Sequence, residues 1–253
     1  MAGPDQRGAA QGGRPLSADL SWLTARPIAH RGLHDGNKAV WENTLSAFSR
    51  AAERNYAIEC DVLISKDGVP MVLHDADLRR LTGTVGLVCE KTVAELQALK
   101  VGGTGDHLPS LREMLVLVNG RVPLVIELKG DPGHDSSLVK AVAKELNGYK
   151  GHAALMSFDH HLLRQCATDA PGLPLGLTAE GLRDQDIEDH FSMLAHGIDF
   201  VSYFIHHMPN RFTSFVREKL HMPLIAWTIR EEAALAKTYQ FADQATFEGF
   251  LPA

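Results

Sequence analysis

The feature that most constrains this chain is an alternation. Eight short apolar runs, at residues 27–30, 56–62, 122–129, 153–158, 173–178, 200–203, 224–228 and 243–247, are separated by amphipathic stretches of helical length. A strand buried on both faces has no polar side to present, so apolar runs interleaved with helices predict a parallel sheet covered by helices. Eight such units predict an α/β fold of the (β/α)8 TIM-barrel class, and 253 residues is close to the usual length of one such barrel. Helices are expected to start near Asn43, Pro109, Asp135, Asp159, Glu180, Pro209 and Arg230, several of which are capping residues or first-turn prolines. The last run ends too close to residue 253 for an eighth helix, so residues 17–25, with Leu20, Trp22 and Leu23, are expected to cover that seam as a short helix. Residues 1–16, rich in Gly, Ala and Gln, read as a flexible tail, and 17–253 as a single domain. A long irregular stretch at about 75–108 reads as an insertion after the second strand, with one helix at 92–99. Insertions on the βα side of a barrel lie where active sites form.

The polar residues fall in a pattern of their own. Apolar runs end in PIAHR, YAIECD, MVLHD, LVIELK and LIAWT, which places His30, Arg31, Glu59, Asp61, His74, Glu127, Lys129 and Trp227 at strand ends. In a parallel barrel these ends share one mouth, so the residues are expected to meet there. Side chains alternate along a strand, so Glu59 faces the same way as Asp61, and Glu127 the same way as Lys129. If those pairs face the lumen, Ile58, Cys60, Ile126 and Leu128 face the helices, as their apolar character requires.

Each acid alone would read as a salt-bridged or surface carboxylate. Three facing one lumen repel one another unless a cation compensates. Glu59, Asp61 and Glu127 are therefore the expected ligands of one divalent metal, and an all-oxygen set selects Mg²⁺ or Ca²⁺ over zinc. His30 and His74 are the candidate general acid and base, since an imidazole takes and gives a proton near neutral pH. The other histidines, His34 among them, receive no catalytic role. Arg31 and Lys129 are suited to offsetting phosphate charge, and Trp227 to walling the pocket. Glu42 and Asn43 read as loop organisers, with Asn43 as the cap of the first helix.

A formal charge of −6 and the absence of a basic cluster argue against a nucleic-acid partner. Cys60, Cys89 and Cys166 are widely spaced, which suits free thiols in a reducing compartment. With no apolar leader and no run long enough to span a bilayer, the expected location is cytoplasmic, without stable membrane insertion. A homo-oligomer is compatible with the sequence.

The motifs AHRG at 29–32, ENT at 42–44, ECDV at 59–62, LHD at 73–75, IELK at 126–129 and AWT at 226–228 occur in this order. From about Arg26 to the C-terminus the chain resembles the glycerophosphodiester phosphodiesterase family. The resemblance implies a (β/α)8 barrel with an insertion after the second histidine. It also implies metal-dependent hydrolysis of a small-molecule glycerophosphodiester to glycerol 3-phosphate and an alcohol. Carried over by position, it assigns Glu59, Asp61 and Glu127 to the metal and His30 and His74 to acid/base catalysis. Arg31, Lys129 and Trp227 go to the substrate. Two places depart from the family pattern: Arg230 stands where many members carry Asn, and the last strand reads DQATFEGF where an Asp-Pro ending is common. A barrel phospholipase acting on lysophospholipids and a non-catalytic phosphodiester-binding barrel are the alternatives.

Overall fold

The computed structural model describes residues 19–252, and the expected tail at 1–16 lies outside them. Nine strands follow in chain order: β1 (Ile28–Ala29), β2 (Ala57–Ile64), β3 (Pro70–Val72), β4 (Leu124–Leu128), β5 (Ala153–Ser157), β6 (Leu175–Ala179), β7 (Phe200–Phe204), β8 (Leu224–Ile229) and β9 (Gln244–Phe247). All but β3 are parallel and neighbour one another in chain order. The ring closes at β1, where Ala29 lies opposite Ile58 of β2 and Phe247 of β9. Helices Leu45–Glu53, Leu111–Val118, Leu138–Leu146, His160–Asp169, Asp184–Met193, Arg211–Glu218 and Glu232–Thr238 fall between the strands. The expected barrel of eight parallel strands is present.

The period-two alternation sorts each strand into a helix face and a lumen face. Ile58, Cys60 and Val62 of β2, with Leu124, Ile126 and Leu128 of β4, share one apolar cluster with helix residues such as Phe48, Met114, Val118, Leu138 and Val142. Residues of the other parity, Ala57 and Val125 among them, join Ile28, Ala154, Phe200 and Ile225 in a separate cluster that fills the lumen at the strands' N-terminal ends. Gly176 of β6 makes room for this filling: a Cβ there would stand 2.2 Å from the Phe200 ring. Gly176→Ala is therefore expected to lower stability by about 1–3 kcal/mol, the usual effect of overpacking a close-packed core. Urea unfolding measures it, and an unchanged midpoint would contradict this packing.

The short helix expected at 17–25 forms at Ser21–Thr24 and reaches the last strand, where Gln244 Nε2 of β9 donates to the Thr24 carbonyl at 2.8 Å. Its buried Leu23 joins the lumen cluster, so the helix plugs the floor of the barrel, with Trp22 stacked on His152 at 5.0 Å. The apolar lumen floor receives Leu23, and residues at the C-terminus add further cover beside β9. Tyr56 packs edge-on against Phe247 at 4.8 Å, Phe250 adds to them at 5.7 Å from Phe247, and the Tyr56 hydroxyl donates to the Pro252 carbonyl at 2.5 Å.

The run at 69–74 does not end at the mouth as a parallel strand. After Ile64 the chain turns back into β3, antiparallel to β2, with Val62 opposite Val72. The Leu73 amide then donates to the Asp61 carbonyl at 3.1 Å, so His74 reaches the level of Asp61 from above. The insertion that follows has its own core of Leu63, Met71, Leu78, Leu81, Leu96 and Leu108. The helix expected within it runs over Val93–Gln97, where Thr92 and Glu95 cap each other reciprocally. Gly102, in left-handed geometry at φ 59°, lies beneath the Trp41 ring, where a Cβ would come within 2.0 Å. That close approach seals the insertion against the loop after β1.

Candidate active site

Glu59 and Asp61 are two residues apart on β2, and Asp61 stands directly opposite Glu127 on β4. The shared parity turns all three toward the lumen, and each offers a carboxylate oxygen within 4.8 Å of the other two. All three are buried. Two cations face them. Lys129 donates to Glu127 Oε1 at 2.7 Å and lies 3.6 Å from Asp61 Oδ1. Arg31 places Nε 3.3 Å from Asp61 Oδ2, and its backbone amide donates to Glu59 Oε2 at 2.9 Å. That amide faces inward because Arg31 is in left-handed geometry at φ 54°.

The electrostatics follow from burial and proximity. Burial, then the charges of Asp61 and Glu127, raise Glu59 well above the ordinary glutamate range. Burial and Asp61 likewise raise Glu127 to about 7, in spite of Lys129. Burial also works against the charge on Asp61, but Arg31 and then Lys129 outweigh it and hold Asp61 below its usual value. Three carboxylates against two cations leave the cluster short of positive charge. The chemistry of the donor set, all oxygen and under-compensated, fits a divalent cation.

Both expected acid/base histidines line the same cavity as the acids. His30 meets Glu248 Oε2 through Nδ1 at 2.5 Å and puts Nε2 4.0 Å from Glu59 Oε2. Burial lowers the His30 pKa, opposed by the hydrogen bond to Glu248. Burial alone would raise Glu248, but its bonds to His30 and its other neighbours hold it well below the usual range. An ionised Glu248 only accepts, so His30 Nδ1 carries the proton and Nε2 is left as the basic atom. His74 repeats the design, with Nδ1 2.7 Å from Asp75 Oδ1.

A chain of ion pairs links the two halves of the mouth. Asp75 accepts from Arg80 Nε at 2.5 Å, Arg80 forks onto both oxygens of Glu42 at 2.9 Å, and Glu42 accepts from Arg31 Nη1 at 2.7 Å. Although burial would raise it, Arg80 and Arg31 bring Glu42 down to about 2. Glu42 is thus a loop organiser, as expected, and it aims Arg31. Asn43 is not the cap of the first helix. Thr44 holds that place and accepts from the Ala47 amide, while Asn43 donates from Nδ2 to Asp61 Oδ2 at 2.9 Å.

Trp227 lies against Phe204 at 5.0 Å and Phe158 at 5.4 Å between ring centres, and Lys129 Nζ sits 5.8 Å above the Phe158 ring. Trp227, Phe158 and Lys129 line a cavity of about 150 Å³ that Arg31, Thr178, Ser202 and Arg230 also line. A larger groove of about 560 Å³ adjoins it through Thr228 and Arg230. The acid cluster opens only on the smaller one, so chemistry and not size marks the site.

Sequence reasoning missed Glu248, Asp75 and Arg80 as parts of this site, and missed that His34 Nε2 stands 3.6 Å from Glu248. Glu248 had a usable signal, because it follows β9 directly and so lies at a strand's C-terminal end. It also joins the two departures from the family pattern, since Arg230 Nε donates to Glu248 Oε1 at 2.8 Å.

Residues 30–250 match the glycerophosphoryl diester phosphodiesterase family. The chain belongs to this family. A relative carrying the same family name, glycerophosphodiester phosphodiesterase from Caldanaerobacter subterraneus subsp. tengcongensis, is 38% identical over 162 residues. That alignment covers 59% of this chain and 65% of the relative, just under two thirds of its length. Two solved structures show the same fold. A phosphodiesterase of Oleispira antarctica, in complex with its product sn-glycerol-3-phosphate, superposes with a TM-score of 0.79 at 23% identity, covering 88% of this chain and 92% of that one. Glycerophosphodiester phosphodiesterase from Thermotoga maritima superposes with a TM-score of 0.71 at 24% identity, covering 88% and 94%. No helix of this family member, among the described residues, is long and apolar enough to cross a membrane.

Proposed function

We propose that this chain hydrolyses glycerophosphodiesters to glycerol 3-phosphate and an alcohol, with Glu59, Asp61 and Glu127 holding one Mg²⁺ or Ca²⁺. The observation that carries the reading is the meeting of this acid cluster, both carboxylate-tethered histidines and two cations on one cavity. Phosphodiester hydrolysis needs charge neutralised on the phosphoryl oxygens, a base at the attacking oxygen and an acid at the departing one. Arg31 and Lys129 line the cavity and suit the phosphate. When bound, the divalent cation adds Lewis-acid stabilisation of a non-bridging oxygen.

His30 and His74 each have Nδ1 engaged by a carboxylate, which leaves Nε2 to exchange protons with the substrate. One takes the proton of the attacking oxygen as the new P–O bond forms. That oxygen belongs to water or to the substrate's neighbouring hydroxyl, and in the latter case water then opens the cyclic phosphate. The other gives its proton to the alcohol oxygen as the old P–O bond breaks. Trp227 and Phe158 supply an apolar wall beside the reacting centre.

In this scheme Glu248 is a positioning residue. Glu248→Gln removes a charge that raises the His30 pKa, so the limb of the pH–rate profile set by His30 is expected to move to lower pH, with kcat reduced about 10–100-fold, the usual size of losing a supporting carboxylate. Glu248→Asp is expected to restore part of both. An unmoved limb would remove Glu248 from the mechanism.

The adjoining groove, with Ile205, Met208 and Phe241 in its lining, favours a second reading in which the glycerol moiety carries an acyl chain, as in a lysophospholipid. A substrate panel decides between them. Glycerophosphocholine, glycerophosphoethanolamine and lysophosphatidylcholine are assayed with Mg²⁺, Ca²⁺ or chelator, reading glycerol 3-phosphate and, for the lipid, lysophosphatidic acid. The proposal expects glycerol 3-phosphate that is lost on chelation and restored by one of the two ions. Turnover of the lipid alone would establish the second reading. No turnover of any of them would leave a phosphodiester-binding barrel.

A further inference from the structure

A second set of metal-type donors lies outside the acid cluster, where the insertion meets the loop after β4. The loop reads Asp131-Pro132-Gly133-His134. The His134 amide donates to the Asp131 carbonyl at 2.8 Å, and Gly133 has φ 91°. Pro at the second place of a turn and a positive-φ Gly at the third are the signature of a type II turn. Such a turn brings its first and fourth residues together, and His134 Nδ1 stands 3.6 Å from Asp131 Oδ1. The turn is fixed at its start as well, because the Asp131 amide donates to Oδ2 of the buried Asp135 at 3.0 Å.

The third donor comes from the insertion. Cys89 lies in the short 3-10 helix Val88–Glu90, and that helix is anchored through the Val88 amide to the Ala76 carbonyl at 2.9 Å. Its thiol, the Asp131 carboxylate and the His134 imidazole each offer an atom within 4.8 Å of the others. Bond lengths of about 2.0–2.3 Å to a tetrahedral zinc ion put its ligand atoms roughly 3.3–3.8 Å apart. The Asp131–His134 separation already falls in that range, and a small movement of Cys89 would complete the set.

We infer that Cys89, Asp131 and His134 form a binding site for a borderline-soft divalent cation of the Zn²⁺ type, which clips the insertion to the barrel rim. Sulfur and imidazole nitrogen are the donors that a hard ion such as Mg²⁺ or Ca²⁺ leaves aside, so this site and the all-oxygen cluster sort different metals. One thiolate and one carboxylate balance the charge of a divalent ion. His134 is exposed, so the fourth position of a tetrahedron opens to solvent and takes water. The clip holds the segment that follows Lys129, and it does not depend on the phosphodiesterase reading, because it shares no residue with that site.

Cobalt(II) absorption tests it, because a thiolate ligand gives an intense near-ultraviolet charge-transfer band that an all-oxygen site cannot give. The full chain, with the acid cluster saturated by Mg²⁺, is titrated with Co²⁺. The expected result is a thiolate band that saturates at one equivalent and is displaced by Zn²⁺. Cys89→Ser should abolish the band, and Cys166→Ser, at a buried thiol, should keep it. His134→Ala, on an exposed side chain that the fold does not need, should weaken Co²⁺ binding at least tenfold. No thiolate band at stoichiometric Co²⁺, a band that survives Cys89→Ser, or unchanged affinity in His134→Ala would each overturn the proposal.

Discussion

His30→Ala and His74→Ala are each expected to lower kcat by about 10²–10⁴-fold, the usual contribution of a positioned general acid or base. The far-ultraviolet circular dichroism and Tm should stay close to those of the parent. The expectation follows from where the two rings stand. Each spends Nδ1 on a carboxylate and turns Nε2 to the cavity shared with the acid cluster. Neither ring belongs to the apolar clusters that hold the barrel together. Because the two rings serve the same turnover in sequence, the double variant should lose little beyond the worse single one, as groups acting as a unit do. Activity within tenfold of the parent in either single variant would remove that histidine from the mechanism.

Glu127→Gln is expected to have the second large effect, and its direction differs between activity and stability. Loss of a metal-holding carboxylate removes several kcal/mol of charge stabilisation, about 10³-fold or more in kcat/KM. Stability without metal should not fall at pH 8. Glu127 has a folded-state pKa raised from 4.5 to about 7, by burial first and Asp61 second. For a raised carboxylate, the folded state binds more protons than the unfolded chain between those two values. The associated stability is fully present below 4.5 and lost as pH rises through about 7. Gln mimics the protonated form and so escapes the loss. On the proposed function, a divalent cation would replace the missing proton in the parent. Added Mg²⁺ or Ca²⁺ at a hundred times its pH 8 Kd should therefore stabilise the parent by about 2.7 kcal/mol at pH 8 and raise Tm less at pH 5.5. Differential scanning fluorimetry at the two pH values reads this directly, and a metal-induced shift that is equal at both, or that survives in Glu127→Gln, would contradict it.

The sheet was legible in the sequence because a barrel strand buried on both faces is apolar throughout, and the few polar residues that interrupt the pattern then stand out. Glu59, Asp61 and Glu127 could be turned toward one lumen on paper because the period of two leaves Ile58, Cys60 and Ile126 only the helix side. Strand pairing supplied what the paper reading lacked, the register that sets Asp61 beside Glu127. His74 was found for an incomplete reason. Its apolar run is the return limb of a hairpin, and an antiparallel limb has the same local composition as a parallel strand.

The supporting residues were harder to see because their partners are remote along the chain. Glu248 meets His30 across 218 positions, and nothing near either residue announces the pairing. Asn43 looked like a helix cap because Asn and Thr compete for that place, and only its left-handed backbone and the Asp61 contact show that Thr44 won it. The seat of Leu23 on the lumen floor is hidden in the sequence for a related reason. A short amphipathic segment specifies that it buries one face, without specifying which apolar surface receives it.

The reading of the whole site rests on one ion held by three carboxylates between two imidazoles. A crystal soaked in Mn²⁺, standing in for the lighter hard cation, and measured at the manganese edge locates the ion without reference to activity. Anomalous density bonded to Glu59, Asp61 and Glu127, with Lys129 still lining the same cavity, is the expected result. Density elsewhere, with the Lys129 ammonium still paired to Glu127 in an ion-free cluster, would contradict it.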